Sequence, residues 1–382
     1  MGQPNNYGIT EEITLLAETV RRFYKDNYTD YSLHELVASD SEAFDTPRNN
    51  WVKPHWQTMV ELGWSAVSIS TTIDGMGMPL VAAVLLAEET GKAACPSPLV
   101  ETLKSSYLLN ACFELNGGGS SELALSKILE GEAVGLAVTA SDGLYHSQNC
   151  DVSLDGNVLN GTAYFVQDAL KVDSFIVKVK SDKGFSLYKI SSETEGMTIV
   201  PDVIGDLTRD QAHLQFNGVV VSEAALLAKE NDTVTALVNS EPAIHILTAA
   251  DIVGSCEWLL QTTAEYARTR VQFDRPIGFF QAVKHPLVDV MIAIDEAKSL
   301  VYNAACAFDH EPHLLAQYAH MAKASAADAA DIATQKAIQL HGGIGITWEC
   351  FVHVFAKRVK HNQFILGDGG YHKARIAELL LD

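Results

Sequence analysis

The feature that most constrains this chain is a change of texture near Gly131 that reverses near Glu223. The intervening stretches include CDVSLDGNVLNGTAYFVQDA, SFIVKVKSDKGFSLYKI and HLQFNGVVVS. They are rich in β-branched residues, alternate apolar with polar, and are punctuated by DG and NG turn signals. That pattern predicts antiparallel β structure over residues 131–222. The flanks follow a different period. In ITEEITLLAETVRRFYKD an acidic first turn precedes Ile13, Leu16, Val20 and Phe23 at helical spacing. Leu80–Ala94 opens almost wholly apolar after a glycine-rich turn, which predicts a buried helix too short for a bilayer. KASAADAADIATQKAIQLHGG carries alanine at close helical intervals, suited to tight helix packing, and stops at Gly342-Gly343.

The expected class is therefore α+β in three parts. A helical N-terminal domain spans 1–130, a middle antiparallel β-barrel-like domain 131–222, and a C-terminal four-helix bundle 223–382. The chain's 382 residues are enough for such a composite.

Charge and composition exclude several functions. Asp+Glu number 48 against 27 Lys+Arg, a formal charge of −21. Nucleic acid and anionic lipid both require clustered cations, so neither is an expected partner. No apolar run reaches the roughly 20 residues of a membrane span. The polar, acidic start MGQPNNYGITEE is neither a signal peptide nor a myristoylation motif, since Asn6 stands where Ser or Thr is needed. The six cysteines are scattered, with no CxxC and no zinc-like spacing to histidine, so no metal site is expected. They read as reduced thiols, and a cytoplasmic location is expected.

Two segments carry chemistry. Tyr266–Gln281 reads YARTRVQFDRPIGFFQ, and Gln339–Gly345 reads QLHGGIG. Together, in a helices–β–helices chain, they resemble the acyl-CoA dehydrogenase family, and the resemblance extends over nearly the whole sequence. It implies FAD as cofactor and an acyl-CoA thioester as substrate, with electron-transferring flavoprotein as acceptor. Arg270 then inherits the contact to the FAD pyrophosphate bound in a neighbouring subunit, a role suited to a forked guanidinium. Phe273 is expected against the adenosine part and Gln281 beside it. Gln339, Gly342 and Gly343 match positions where backbone approaches the adenine side, which glycine permits. Asp274 replaces the family's glycine. In the β part, Thr139 of AVTASDGLYHSQ and Gln167 of GTAYFVQDA correspond to flavin-ring contacts. There Phe165 replaces the family's tryptophan, and the Glu-Pro-Gly-Ser loop is absent.

The reaction the resemblance implies needs a base, because the Cα proton of a thioester is only weakly acidic. Aligning QFILGDGGYHKARIA with the family motif puts Leu366 at the catalytic glutamate, and leucine accepts no proton. The alternative family position, on the helix before the cofactor arginine, falls on Ile244. The nearest acids are Asp368 and Glu241. An adenine grip without a base is similar to the non-catalytic subunit of bacterial heteromeric α2β2 dehydrogenases, including those for steroid-CoA side chains. Its partner would be a homologous catalytic subunit. Two alternatives remain open from sequence. One is a self-sufficient homo-oligomer using a non-standard base such as Asp368. The other is a CoA-ester or protein-binding module that has lost flavin. His341, His353 and His361 lie near the motifs, and Lys357, Arg358 and Lys360 form a basic cluster expected to be a solvated face.

Overall fold

The computed structural model describes residues 3–38, 51–145 and 148–381. Met1 and Gly2, part of the helical N-terminal stretch (39–50), and His146 and Ser147 of the AVTASDGLYHSQ segment lie outside the described residues. The N-terminal part contains α1 (Glu11–Asn27), α2 (Asp30–Ala38), α3 (Lys53–Glu61), α4 (Leu80–Lys92), α5 (Leu99–Asn116) and α6 (Ser120–Leu129). α1 starts where Thr10 caps it, its side chain accepting from the Ile13 amide. It buries Ile13, Ala17, Val20 and Tyr24, one stripe at helical spacing, while Leu16 and Phe23 lie half-buried beside it. α4 is buried over nearly its whole length, as its composition predicts.

The middle part is a sheet of β1 (Val134–Ala137), β2 (Val152–Asp155), β3 (Val158–Gln167), β4 (Ser174–Ser181), β5 (Gly184–Ser191), β6 (Met197–Pro201), β7 (Gln211–Val220) and β8 (Leu226–Lys229). Its order is β6-β7-β3-β2-β4-β5-β8, with β1 added against β4. Most pairings are antiparallel, but β1 and β2 each meet β4 in parallel. The sheet does not close on itself, and β8 extends it past Val221.

The C-terminal part contains α7 (Glu230–Thr269), the two-stranded turn β9 (Val271–Gln272) and β10 (Arg275–Pro276), α8 (Gln281–His310), α9 (Leu315–His341), α10 (Val352–Phe364) and α11 (Gly369–Leu381). α9 ends at Gly342, whose φ of +61° suits glycine. α7, α8 and α9 pack on one another, α10 lies against α7 and α9, and α11 lies against α9. The four-helix expectation therefore holds with a fifth helix added.

α7 is the axis of the molecule. It is long and apolar enough to cross a membrane by length and composition, yet 83% of its most apolar window is buried inside the protein. It is a core helix shared by both helical parts, since α4 and α5 also pack on it. The α4–α7 crossing is close because both helices carry glycine there. A Cβ on Gly254 would lie 1.8 Å from the Glu88 carbonyl oxygen, and one on Gly91 would lie 2.2 Å from that of Asp251.

A buried ionic network ties the middle and C-terminal parts together. Asp251 of α7 accepts a fork from Arg358 of α10, Nε at 3.0 Å and Nη2 at 2.6 Å, and further bonds from Arg209 and Asn362. Arg209 reaches Asp168 at 2.8 Å, and Lys171 bridges Asp168 and Asp210 at 2.7 Å each. Burial pushes the Asp251 carboxyl up, but the two guanidinium groups outweigh it, and the net shift is downward. Arg358 is thus fully buried, which corrects the expectation of a solvated basic face at Lys357–Lys360. A guanidinium whose partner is over a hundred residues away in sequence cannot be recognised from its basic neighbours. Lys360, by contrast, pairs with Asp331 at the surface.

Candidate functional site

The two cofactor-grip segments meet at one end of the C-terminal helices. α7 ends at Thr269 and delivers Arg270 into the β9–β10 turn, while α9 ends at His341 and delivers Gly342 and Gly343. Tyr266 stacks on His341, with ring centroids 4.4 Å apart, and so fixes one segment against the other. His341 is further held by a 2.8 Å bond between Nδ1 and the Ala337 carbonyl.

The groups projecting from this end are left open. Arg270 is exposed, and its guanidinium makes no bond to another side chain among the described residues. Phe273 sits at the tip of the turn, 83% exposed with φ +52°, beside Asp274 at φ +62°. An aromatic ring held that far into solvent by a strained backbone is costly without a ligand or partner over it. Gln281, at the start of α8, is also exposed, as is Gln339, whose side-chain oxygen accepts from Lys336. A Cβ built on Gly342 or Gly343 would meet nothing within 4 Å. At Gly343 neither backbone conformation nor internal packing calls for glycine.

The second candidate region is a cleft of about 570 Å³ between the sheet and the start of α11. Thr139, Phe165, Gln211, His361, Leu366 and Asp368 are among the residues lining it. Thr139, Leu366 and Asp368 thus line one cleft. The polar groups here, unlike those at the grip, are already spent. The Thr139 hydroxyl donates to the Tyr164 carbonyl. Gln167 is only 4% exposed. Its amide nitrogen donates to the Phe165 carbonyl and to Gln211 Oε1, and its oxygen faces His361 Nε2 at 2.7 Å. Gln167, expected at a flavin ring, is thus buried with its amide nitrogen and oxygen both engaged within the chain. Phe165 has φ +55° and lays its ring over Gly143.

Among the described residues, the histidine and the acids nearest Leu366 each carry a competing interaction. Burial pushes the His361 imidazole down to about 4, so it is neutral and a poor proton acceptor. Asp142 is occupied by the Leu144 amide and by Asn149. Asp368 Oδ1 accepts from the Tyr371 amide at 2.8 Å, which makes it the cap of α11. Glu241 lies in a separate cavity, 3.3 Å from His245 Nε2. There burial pushes its carboxyl up, but the hydrogen bond from His245 leads the interactions that outweigh it and hold it low. Ile244 is fully buried in the apolar core.

Leu366 itself has φ +62°, a conformation that costs a branched aliphatic residue about 1–2 kcal/mol. The loop keeps that shape because Gly367 follows at φ +108° and Lys323 grips it from below. Lys323 Nζ donates to the Gln363 and Gly367 carbonyls at 3.0 and 3.2 Å. Burial, with Lys104 nearby, pushes the Lys323 ammonium down to about 7, against the opposing pull of Asp368.

Comparison with known proteins agrees with this geometry. Residues 10–118 match the acyl-CoA dehydrogenase N-terminal domain and residues 245–381 the acyl-CoA dehydrogenase C-terminal domain. The acyl-CoA dehydrogenase IpdE2 of Mycobacterium tuberculosis is 28% identical over 352 residues, 91% of each chain. Among solved structures, the ChsE4-ChsE5 complex from Mycobacterium tuberculosis aligns with a TM-score of 0.83 at 23% identity, over 98% of this chain and 99% of that one. A Tcur3481-Tcur3483 steroid ACAD aligns with a TM-score of 0.82 at 23% identity, over 97% and 98%. FAD is the family's cofactor, and the open grip around Arg270, Phe273, Gly342 and Gly343 fits the adenine-diphosphate half of it. The chain belongs to the acyl-CoA dehydrogenase family.

Proposed function

We propose that this chain is the base-lacking subunit of a heteromeric, FAD-dependent acyl-CoA dehydrogenase. Its part is to complete the cofactor site of a homologous catalytic subunit. The observation that carries the reading is the contrast at Leu366. The loop that holds a glutamate in the family is held in a strained shape here, yet it presents an aliphatic side chain. Among the described residues lining the cleft, every alternative acceptor is bonded or poorly basic.

In the assembled enzyme, FAD supplies the hydride-accepting chemistry. Arg270 binds the pyrophosphate through its fork, Phe273 covers the adenosine part, and the Gly342–Gly343 backbone leaves room for it. The partner subunit supplies the glutamate that takes the Cα proton. The proposed assembly is α2β2, with an electron-transferring flavoprotein as acceptor, in a reducing cytoplasm that suits six free thiols. Steroid-derived acyl-CoA thioesters are the first substrates to test, because a steroid ACAD is among the structural relatives.

Co-expression with a homologous dehydrogenase subunit that carries the glutamate tests the reading. Native mass and flavin content are expected to give one FAD per unlike pair, with turnover only in the complex. Turnover by the purified lone chain at a rate comparable to the complex overturns it.

A further inference from the structure

Outside the cofactor regions, three histidines on three helices form a buried cluster. His245 of α7, His320 of α9 and His372 of α11 are all buried, and one nitrogen from each ring lies within 4.8 Å of the other two. Ring centroids are 4.7 Å apart for His245 and His372, 5.1 Å for His320 and His372, and 5.4 Å for His245 and His320. Nδ1 of His320 and Nδ1 of His372 approach to 2.8 Å. Bringing three imidazoles together in the interior needs a reason. Their mutual hydrogen bonds do not supply it, because His245 Nδ1 and His372 Nε2 are buried with no partner. An unsatisfied buried polar atom costs about 1–3 kcal/mol, and two of them lie in one cluster.

We propose that His245, His320 and His372 form a binding site for one divalent transition-metal ion of the zinc class. Three imidazole nitrogens are a donor set that zinc favours, and no thiolate or hard oxygen cage competes for a different metal. Tetrahedral zinc with bonds of about 2.0–2.1 Å sets its ligand nitrogens roughly 3.3 Å apart. That spacing lies between the 2.8 Å approach of His320 to His372 and the 4.8 Å limit of the cluster, so modest ring rotations reach it.

Glu241 supplies an outer shell. Its carboxylate accepts from His245 Nε2 at 3.3 Å, and that bond fixes the tautomer whose Nδ1 lone pair is free. A cavity of about 410 Å³, lined by Glu241, His245, His320, Tyr371 and Arg375, reaches the cluster. It gives an ion a route in and leaves room for water at the fourth position. Because α11 begins immediately after the Leu366 loop, a bound ion would clamp that loop's helix to α7 and α9. Tyr371, next to His372, lines both this cavity and the cleft.

The test uses the untagged full-length chain and zinc or cobalt(II) alone as probe. Dialysis against a weak chelator followed by elemental analysis is expected to leave one zinc per chain. Cobalt(II) is expected to give the intense visible bands of a tetrahedral site. His320→Gln and His245→Gln are each expected to abolish retention, and Glu241→Gln to weaken it about 10–100-fold. His313→Gln, at an exposed position, is expected to retain zinc as the unaltered chain does. Zinc retention equal in the unaltered chain and the His245→Gln/His320→Gln double variant overturns the proposal. So does a cobalt spectrum of octahedral, solvent-bound type, a readout that needs no variant to fold.

Discussion

Two arginines on this chain, Arg270 and Arg358, lie in opposite circumstances. Arg358 is fully buried and forked onto Asp251, with Thr208 at 2.8 Å from Nη1. Arg270 is exposed, at the end of α7, and bonded to no side chain among the described residues. The contrast extends to their surroundings. Around Arg358 and the neighbouring cleft, Gln167, His361, Asp142 and Asp368 are engaged within the chain. Around Arg270, Phe273, Gly342 and Gly343 face open space. One region is complete in the monomer and acts through folding. The other is incomplete in the monomer and acts through what binds it. On the proposed function, the first region serves the fold and the second serves a cofactor shared with a neighbour.

The sharpest way to break this comparison is to remove the internal partner. Asp251→Ala leaves two guanidinium groups buried without their shared carboxylate and is expected to cost about 3–5 kcal/mol in urea denaturation of the lone chain. Arg270→Ala, measured in the same way, is expected to lie within about 0.5 kcal/mol of the unaltered protein. Equal losses at both positions would erase the distinction between the two regions.

The second largest effect runs in the opposite sense. In the complex with a catalytic subunit, Arg270→Ala is expected to weaken FAD binding about 10–100-fold, the loss of a charge-assisted fork worth roughly 1.5–3 kcal/mol. Flavin fluorescence titration measures it. Unchanged affinity would mean that the exposed guanidinium serves only the subunit contact.

The sequence reveals the open region better than the closed one, for a physical reason. Arg270, Phe273, Gln281 and the Gly342–Gly343 pair lie in two short segments, so their joint role is visible in linear spacing. Leu366 is legible in the same way, as one missing carboxylate in an otherwise matching run. The closed region is assembled from distant pieces. Gln167 is consumed by His361, 194 residues away, and Arg358 by Asp251, 107 residues away. The alternating pattern of GTAYFVQDA places Gln167 on a strand but cannot say which partner takes its amide. The three histidines of α7, α9 and α11 are dispersed in the same way, since His320 and His372 are 52 residues apart and come from separate helices.

Lys323 sharpens the comparison from the side of pH. It is fully buried beneath the Leu366 loop, with its amine pushed from 10.5 down to about 7, whereas the unfolded chain regains the ordinary value. Between those two values the unfolded state binds more protons, so this group makes stability rise with pH above about 7 and contributes no further change below it. In Lys323→Met the rise is absent. The unaltered protein is therefore expected to gain about 2 kcal/mol of stability relative to this variant from pH 7 to pH 9. Parallel pH curves for the two proteins would show that the loop is gripped by an amine with ordinary basicity.

The smallest effect bears most directly on the missing base. Asp368 lies two residues past Leu366 and lines the cleft, and among the described residues its Oδ2 accepts no hydrogen bond. Its geometry assigns it to α11, where Oδ1 accepts from the Tyr371 amide and the charge sits favourably at a helix N-terminus. A cap and a base respond differently to the same substitutions. Asparagine caps nearly as well as aspartate but takes no proton, so Asp368→Asn is expected to cost only a few tenths of a kcal/mol, and Asp368→Ala about 1 kcal/mol. In both variants the flavin-loaded complex should turn over at the unaltered rate, because the proton leaves through the partner's glutamate. If Asp368→Asn instead retained FAD and stability but lost turnover, the chain would carry its own base two residues from the family position. The open grip would then serve a second copy of the same chain, and the division between a lending and a catalysing subunit would disappear.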